Sequence, residues 1–267
     1  STTYNKIMSQ LGFDLISDLN IIYDLDWEGQ PTSLACVVAG NISQDRNVLL
    51  ETLQHLRQYY KTVFYIDGHL DHRDQLMDIS NSYKELKLQI SNIENVVYLH
   101  DNVAIATDIA IVACNGWWTY DFNPSIDGDQ AEQLLKEDWK CNATELANVY
   151  ALAYSDARYL VTSVEKLQEY EEIKKIVIIT NTVPLPQLIH DTDTRDSVRF
   201  NLLGNSLVNQ CILADKNNLI DTWAFGHYQN PVDEIINGIR FVSNPRHNIE
   251  DAWDKLPYIP KKIIIDR

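Results

Sequence analysis

Apolar residues follow two rhythms along this chain. Short dense runs recur at 13–17 (FDLIS), 34–40 (LACVVAG), 62–68 (TVFYIDG), 95–99 (NVVYL), 109–114 (IAIVAC), 175–180 (KIVIIT), 222–226 (TWAFG) and 239–243 (IRFVS). They are rich in Val, Ile, Phe and Tyr, and several show no polar alternation. That predicts strands, many buried on both faces. Longer stretches at 46–60, 129–154 and 157–173 space their apolar residues as a helix face does. Strands that alternate with helices predict an α/β fold with much parallel pairing. The stretch 183–205 holds Pro184, Pro186 and the charged run HDTDTRD, and predicts a long loop. With no Gly-, Pro- or Ser-rich linker and no internal repeat, a single domain over 1–267 is the expectation.

Composition narrows the class. At 267 residues the chain can bury a sizeable core, and 45% hydrophobic with 22% charged residues is ordinary for a soluble globule. No apolar run approaches the roughly 20 residues of a membrane span. The segment STTYNKIMSQLGFDLIS lacks a basic region followed by an apolar one, so a cytoplasmic protein with no membrane partner is expected. Cys36, Cys114, Cys141 and Cys211 are scattered without a CxxC pair, which argues against a disulfide framework or a thiolate metal site. The glycosylation patterns at Asn41 and Asn142 carry no weight without secretion. The net charge of −16 repels a nucleic-acid backbone unless a basic patch overrides it. No such patch is present, and the mixed run 165–175 reads as a solvated helix face. A protein partner or larger assembly fits this charge better than nucleic acid. The charge is compatible with a small phosphorylated ligand.

Candidate chemistry gathers where the strand-like runs end. In α/β folds those ends line the ligand crevice. They read SDLN (17–20), AGNISQD (39–45), DGHLDHR (67–73), TNTVP (180–184) and FGHYQNP (225–231), followed by FVSNPRH (241–247). Their order and placement resemble the calcineurin-like metallophosphoesterases, whose strand ends read D-x-H, G-D, G-N-H-D/E, an H before a P, and G-H-x-H, closed by N-P-R. The segment CNGWWTYDF (114–122) is similar to a strand-plus-tryptophan element of the smaller bacterial members. The resemblance implies a four-layer α/β/β/α sandwich with mixed sheets. In that family two metal ions bind the phosphoryl oxygen and generate a hydroxide, while a separate His assists the leaving group.

Carried over residue by residue, the resemblance implies a degenerate site. Asp18 matches the first Asp and His227 the first His of G-H-x-H. Asn20 stands for a His, Asn41 for the bridging Asp, His69 for an Asn, Asn181 for a His and Gln229 for the last His. Leu70 stands where the family has its proton-handling His, so no catalytic residue is expected, and Asp71 matches the acidic end of that motif. Without a bridging carboxylate two dications face each other with little screening. Unit charges at 4 Å repel by roughly 4 kcal/mol at an effective dielectric of 20, and dications by about four times that. Amides are also poor replacements for imidazole with zinc or manganese. Amides do, however, satisfy buried hydrogen-bonding groups without the cost of an unpaired charge.

The expectation is therefore a catalytically inactive protein on this scaffold, acting as a structural or protein-interaction component with no cofactor. One alternative is a weak phosphomonoesterase or phosphodiesterase holding one Mn²⁺ or Zn²⁺ at Asn41, His69, Asn181 and His227. The other is a non-hydrolytic binder of a phosphorylated small molecule, with His72 and Arg73 contacting the anion at the crevice mouth. Asp18 is expected to accept hydrogen bonds from Asn20 and neighbouring backbone. Trp117 and Trp118 read as packing rather than ligand contacts, and Arg246 as structural. His55, His100, His190 and His247 have no partner that the sequence identifies.

Overall fold

The computed structural model describes residues 10–22, 31–73, 77–139, 143–246 and 258–266. Cys141, Asn142 and His247 lie outside them. Two sheets carry the fold. The first comprises β1 (Gln10–Ile16), β2 (Ala35–Ala39), β3 (Thr62–Ile66), β4 (Val96–Tyr98) and β11 (Lys261–Asp266), in the order β11-β1-β2-β3-β4. The second comprises β5 (Ala104–Ala106), β6 (Ile109–Cys114), β7 (Lys175–Thr180), β8 (Ile220–Phe225), β9 (Asp233–Ile236) and β10 (Ile239–Ser243), in the order β5-β6-β7-β8-β10-β9. Both sheets are mixed. Pairing is parallel through β1 to β4 and through β6, β7, β8 and β10, while β11, β5 and β9 pair antiparallel at the edges.

The period-2 geometry of a strand separates the layers. In β6, Ile109, Ile111 and Ala113 join one apolar cluster, and Ala110, Val112 and Cys114 join another. In β7, Val177 and Ile179 go one way, and Ile176 and Ile178 the other. Both faces of the second sheet are therefore covered, as the unbroken apolar runs predict. Its inner face shares a cluster with Ile16, Val37 and Val38 of the first sheet. That cluster also takes Leu49, Leu53 and Leu56 from helix α1 (Arg46–Leu56), and Leu86 and Ile90 from α2 (Ile79–Ser91). The outer face of the second sheet packs on Leu160, Val164 and Leu167 of a long helix spanning Ala143–Leu167. The helix ahead of it, α3, spans Gly128–Trp139, so the long one is α4. Helices thus cover both outer faces.

Two sequence expectations shift. The break in the helical stretch falls between α3 and α4 rather than near 155, so 143–167 is one continuous helix. Its buried face of Val149, Ala153, Ala157, Leu160 and Val164 runs unbroken across the expected gap. The stretch 183–205 is not open loop. It folds into 3₁₀ turns at Pro186–Leu188 and Val198–Leu202 and one helical turn, α5 (Thr192–Arg195), anchored by buried Leu188, Ile189 and Phe200. A short helix α6 (Gln210–Ala214) then leads into β8. The described cysteines Cys36, Cys114 and Cys211 are free and buried. No helix among the described residues is long and apolar enough to cross a membrane.

Candidate functional site

The C-terminal ends of β1, β2, β3, β7 and β8 meet in one place. Three of these ends turn through the left-handed region. Asp18 has φ 52°, Asn20 48°, Asn41 59° and His227 67°. Asn, Asp and His are the non-glycine residues that occupy this region most readily. The turns therefore favour Asn at 20 and 41 whatever else those side chains do. Neighbouring glycines let the ends close up. A Cβ on Gly68 would fall 2.1 Å from Asn41 Oδ1, and one on Gly226 would fall 2.8 Å from Asp18 Oδ2.

The polar side chains of this lining bind one another. Asp18 Oδ1 accepts from Asn41 Nδ2 at 2.9 Å. Asp18 Oδ2 accepts from Ser17 Oγ at 2.6 Å and from the His227 backbone N–H at 2.9 Å. The other face of the Asn41 amide is used too, since its Oδ1 accepts from the Leu70 N–H at 3.0 Å. Asn181 Nδ2 crosses between the sheets to the Ala39 carbonyl at 2.8 Å. His227 Nε2 donates to the Leu202 carbonyl at 2.7 Å, which leaves Nδ1 as the ring's lone-pair nitrogen. Asp18 accepts from Asn20 as expected, through its backbone carbonyl: Asn20 Nδ2 donates to it at 3.0 Å. Gln229 is exposed.

His69 and His227 face each other edge-on, with ring centroids 4.4 Å apart, and Trp118 stacks on His227. The Asn181 side chain lies beside His69. Burial holds both imidazoles below their ordinary value, His227 at about 4, so both are neutral near pH 7. Burial pushes Asp18 the other way, to about 6, against the pull of its hydrogen bonds from Ser17, Asn41 and His227. The metals that the resemblance implies can be tested against this donor set. Its one carboxylate already accepts three hydrogen bonds, and one imidazole nitrogen is spent on a carbonyl. Among the described residues no three His, Cys, Asp or Glu side chains converge as a metal site would need. This lining does not fit a dinuclear centre.

Behind the crevice lie two buried carboxylates whose roles the sequence did not reveal. Asp71 accepts from the backbone N–H groups of Asn41, Ile42, Ser43 and Gly68 and from Tyr65 Oη. It fastens the β2 end to the β3 end. Asp67 sits among His72 Nε2 at 2.9 Å, Tyr83 Oη at 2.7 Å, Tyr98 Oη at 2.7 Å and Asn115 Nδ2 at 2.9 Å. Burial alone would raise it, but the His72 contact and these donors hold it well below the usual carboxylate range.

His72 is therefore not at the crevice mouth. It is 4% exposed, pinned between Asp67 and Ser82 Oγ, because the 3₁₀ turn His69–His72 carries it inward. Arg73 donates to the Asp138 carbonyl at 2.5 Å. Both ring nitrogens of His72 are thus taken by internal partners, so His72 does not supply the anion contact of the binder alternative. Ser82, His72 and Asp67 share the connectivity of a hydrolytic triad, yet Ser82 is fully buried and its hydroxyl accepts from Arg46 Nη2. The trio works as a brace. Trp117 and Trp118 are buried packing residues, as expected, and Trp117 Nε1 donates to Tyr83 Oη. Three of the histidines left without a partner acquire one: His55 lies against the Tyr59 ring, His100 stacks on Tyr83, and His190 pairs with Glu234.

No family model and no curated protein matches this chain. Solved structures do. The phosphopantetheinyl hydrolase PptH from Mycobacterium tuberculosis superposes with a TM-score of 0.71 at 14% identity, covering 96% of both chains. A candidate 5′-nucleotidase from Staphylococcus aureus, in complex with alpha-ketoglutarate, aligns over 88% of this chain and 48% of its own, at 13% identity and a TM-score of 0.46. The first match establishes the metallophosphoesterase fold, and at that identity it establishes the fold alone.

Proposed function

We propose that this chain is a non-catalytic protein on a metallophosphoesterase fold, acting through its surface as a structural or protein-interaction component. One observation carries the reading. The lining that would hold metal and substrate is turned inward on itself, and Leu70 puts an aliphatic side chain where the resemblance places a proton carrier. A leucine cannot protonate a leaving group. Asp18, the one carboxylate of the lining, is already spent on three protein donors. The net charge of −16 favours a protein partner over nucleic acid.

The test is hydrolysis of p-nitrophenyl phosphate and bis-p-nitrophenyl phosphate with added Mn²⁺. The native chain is compared with the double variant Asp18→Ala, His227→Ala. Equal rates are expected. A native rate clearly above the double variant would overturn the reading.

One observation favours a second reading, a one-metal phosphoesterase. His69 and His227 are neutral and 4.4 Å apart, close to the amides of Asn41 and Asn181. It calls for Mn²⁺-dependent turnover that disappears in His227→Ala alone.

A further inference from the structure

We infer that the Asn41 amide takes the place of a cation here: its NH₂ group hydrogen-bonds Asp18 and its oxygen accepts from Leu70, so that protein atoms alone clamp the ends of β1, β2 and β3. The inference rests on the reading above and adds what replaces the metal.

The position demands both faces of an amide. Asn41 is 2% exposed, and each side-chain atom has its own partner. Nδ2 gives to Asp18 Oδ1 at 2.9 Å, and Oδ1 takes from Leu70 N–H at 3.0 Å. A carboxylate at 41 could keep only the second bond. Its other oxygen would face Asp18 Oδ1 across the distance the hydrogen bond now spans, with two like charges in a buried site. An alanine would leave the Leu70 N–H and one Asp18 oxygen without these partners. The clamp extends outward from Asn41. Its backbone N–H binds Asp71, the chain beyond β1 lies along the chain beyond β2 through Asn20 N–H to the Asn41 carbonyl, and Asp18 reaches the β8 end through the His227 N–H. One residue thus sits at the crossing of bonds from both sheets.

The geometry also supplies a swap. If Asp18 becomes Asn and Asn41 becomes Asp, every bond has a counterpart. The new amide at 18 donates to the new carboxylate at 41. That carboxylate still accepts from Leu70, and the amide oxygen at 18 still accepts from Ser17 and His227. Both residue types suit the left-handed φ at 18 and 41, so the backbone adds no penalty.

The experiment compares thermal melting of the native chain, Asn41→Asp, and the double variant Asp18→Asn, Asn41→Asp, all in excess chelator. Asn41→Asp is expected to lose about 5 °C or more of Tm, and the double variant to recover at least half of the loss. If Asn41→Asp melts like the native chain, or if the double variant is no better than the single one, the clamp is refuted. If Asn41→Asp fails to fold, soluble expression of the double variant gives the same decision. Because chelator is present throughout, the outcome is independent of whether the native chain can bind metal, which the hydrolysis assay and metal analysis address separately.

Discussion

Replacing Asp71 by Asn removes one oxygen from a carboxylate that five donors share. Oδ1 accepts from the N–H groups of Ile42 and Ser43, and Oδ2 from the N–H groups of Asn41 and Gly68 and from Tyr65 Oη. Whichever way the new amide turns, its NH₂ group points at two backbone N–H donors. Tyr65 can rotate its hydroxyl and accept, but the backbone cannot. Each buried donor left without an acceptor costs about 1–3 kcal/mol, so two cost about 2–6 kcal/mol. Part of that returns, because burial raises the Asp71 carboxyl above its ordinary value and an amide carries no charge to desolvate. A net loss of about 2–4 kcal/mol remains, a large share of the roughly 5–15 kcal/mol that holds a typical domain together. Urea denaturation at pH 7 reads it directly. The midpoint is expected to fall while the slope m stays constant, since the same surface unfolds. A variant within about 0.5 kcal/mol of the native chain would show that Asp71 does not fasten the strand ends.

Two more perturbations have definite outcomes. Burial pushes the Asp156 carboxyl up to about 8 from an ordinary 3.8, against one hydrogen bond from the Gly116 N–H. The folded state therefore holds this proton where the unfolded state has lost it, and stability rises as pH falls from about 8.5 to 7. His69 and His227 oppose this only below their ordinary value of 6.5, where the unfolded state begins to bind protons that they do not. Asp156→Asn is expected to flatten the stability profile between pH 7 and 8.5, and an unchanged slope in urea titrations at those pH values would refute the assignment. Leu70→His restores an imidazole without restoring metal ligands. Its hydrolysis rate with Mn²⁺ is expected to stay within about twofold of the native rate, and a tenfold gain would show that the proton carrier was the only missing part.

The sequence revealed the parts of the molecule whose physics is local. The runs at 109–114, 175–180 and 239–243 match β6, β7 and β10 end to end. Strands covered on both faces are apolar along most of their length, with polar residues mainly at their ends, so the pattern stays legible. The edge strands β5, β9 and β11 escaped notice because half of each faces outward, as with exposed Ile105, Ile235 and Ile264. Helix α2 escaped because only Ser82, Tyr83, Leu86 and Ile90 of its residues are buried, a stripe too thin to stand out. The crevice was legible as a set of polar strand ends, since five such ends in a fixed order are rare by chance. What the residues do there was not legible. Asp67 draws Tyr83, Tyr98 and Asn115 from 16, 31 and 48 residues away, and no local pattern links them. Its neighbours in sequence place His72 at the crevice, yet one 3₁₀ turn carries it into the core. In the sequence Asn41 is no more than a poor ligand, and its two-sided amide becomes meaningful only once Asp18 and Leu70 lie on either side of it.

The most direct test of the central claim is metal stoichiometry. The purified chain is incubated with Mn²⁺ and Zn²⁺, desalted, and measured by inductively coupled plasma mass spectrometry. A crevice whose one carboxylate is committed to three protein donors should retain close to no metal per chain. About one ion per chain would favour the half-site of Asn41, His69, Asn181 and His227, and about two would contradict the account outright.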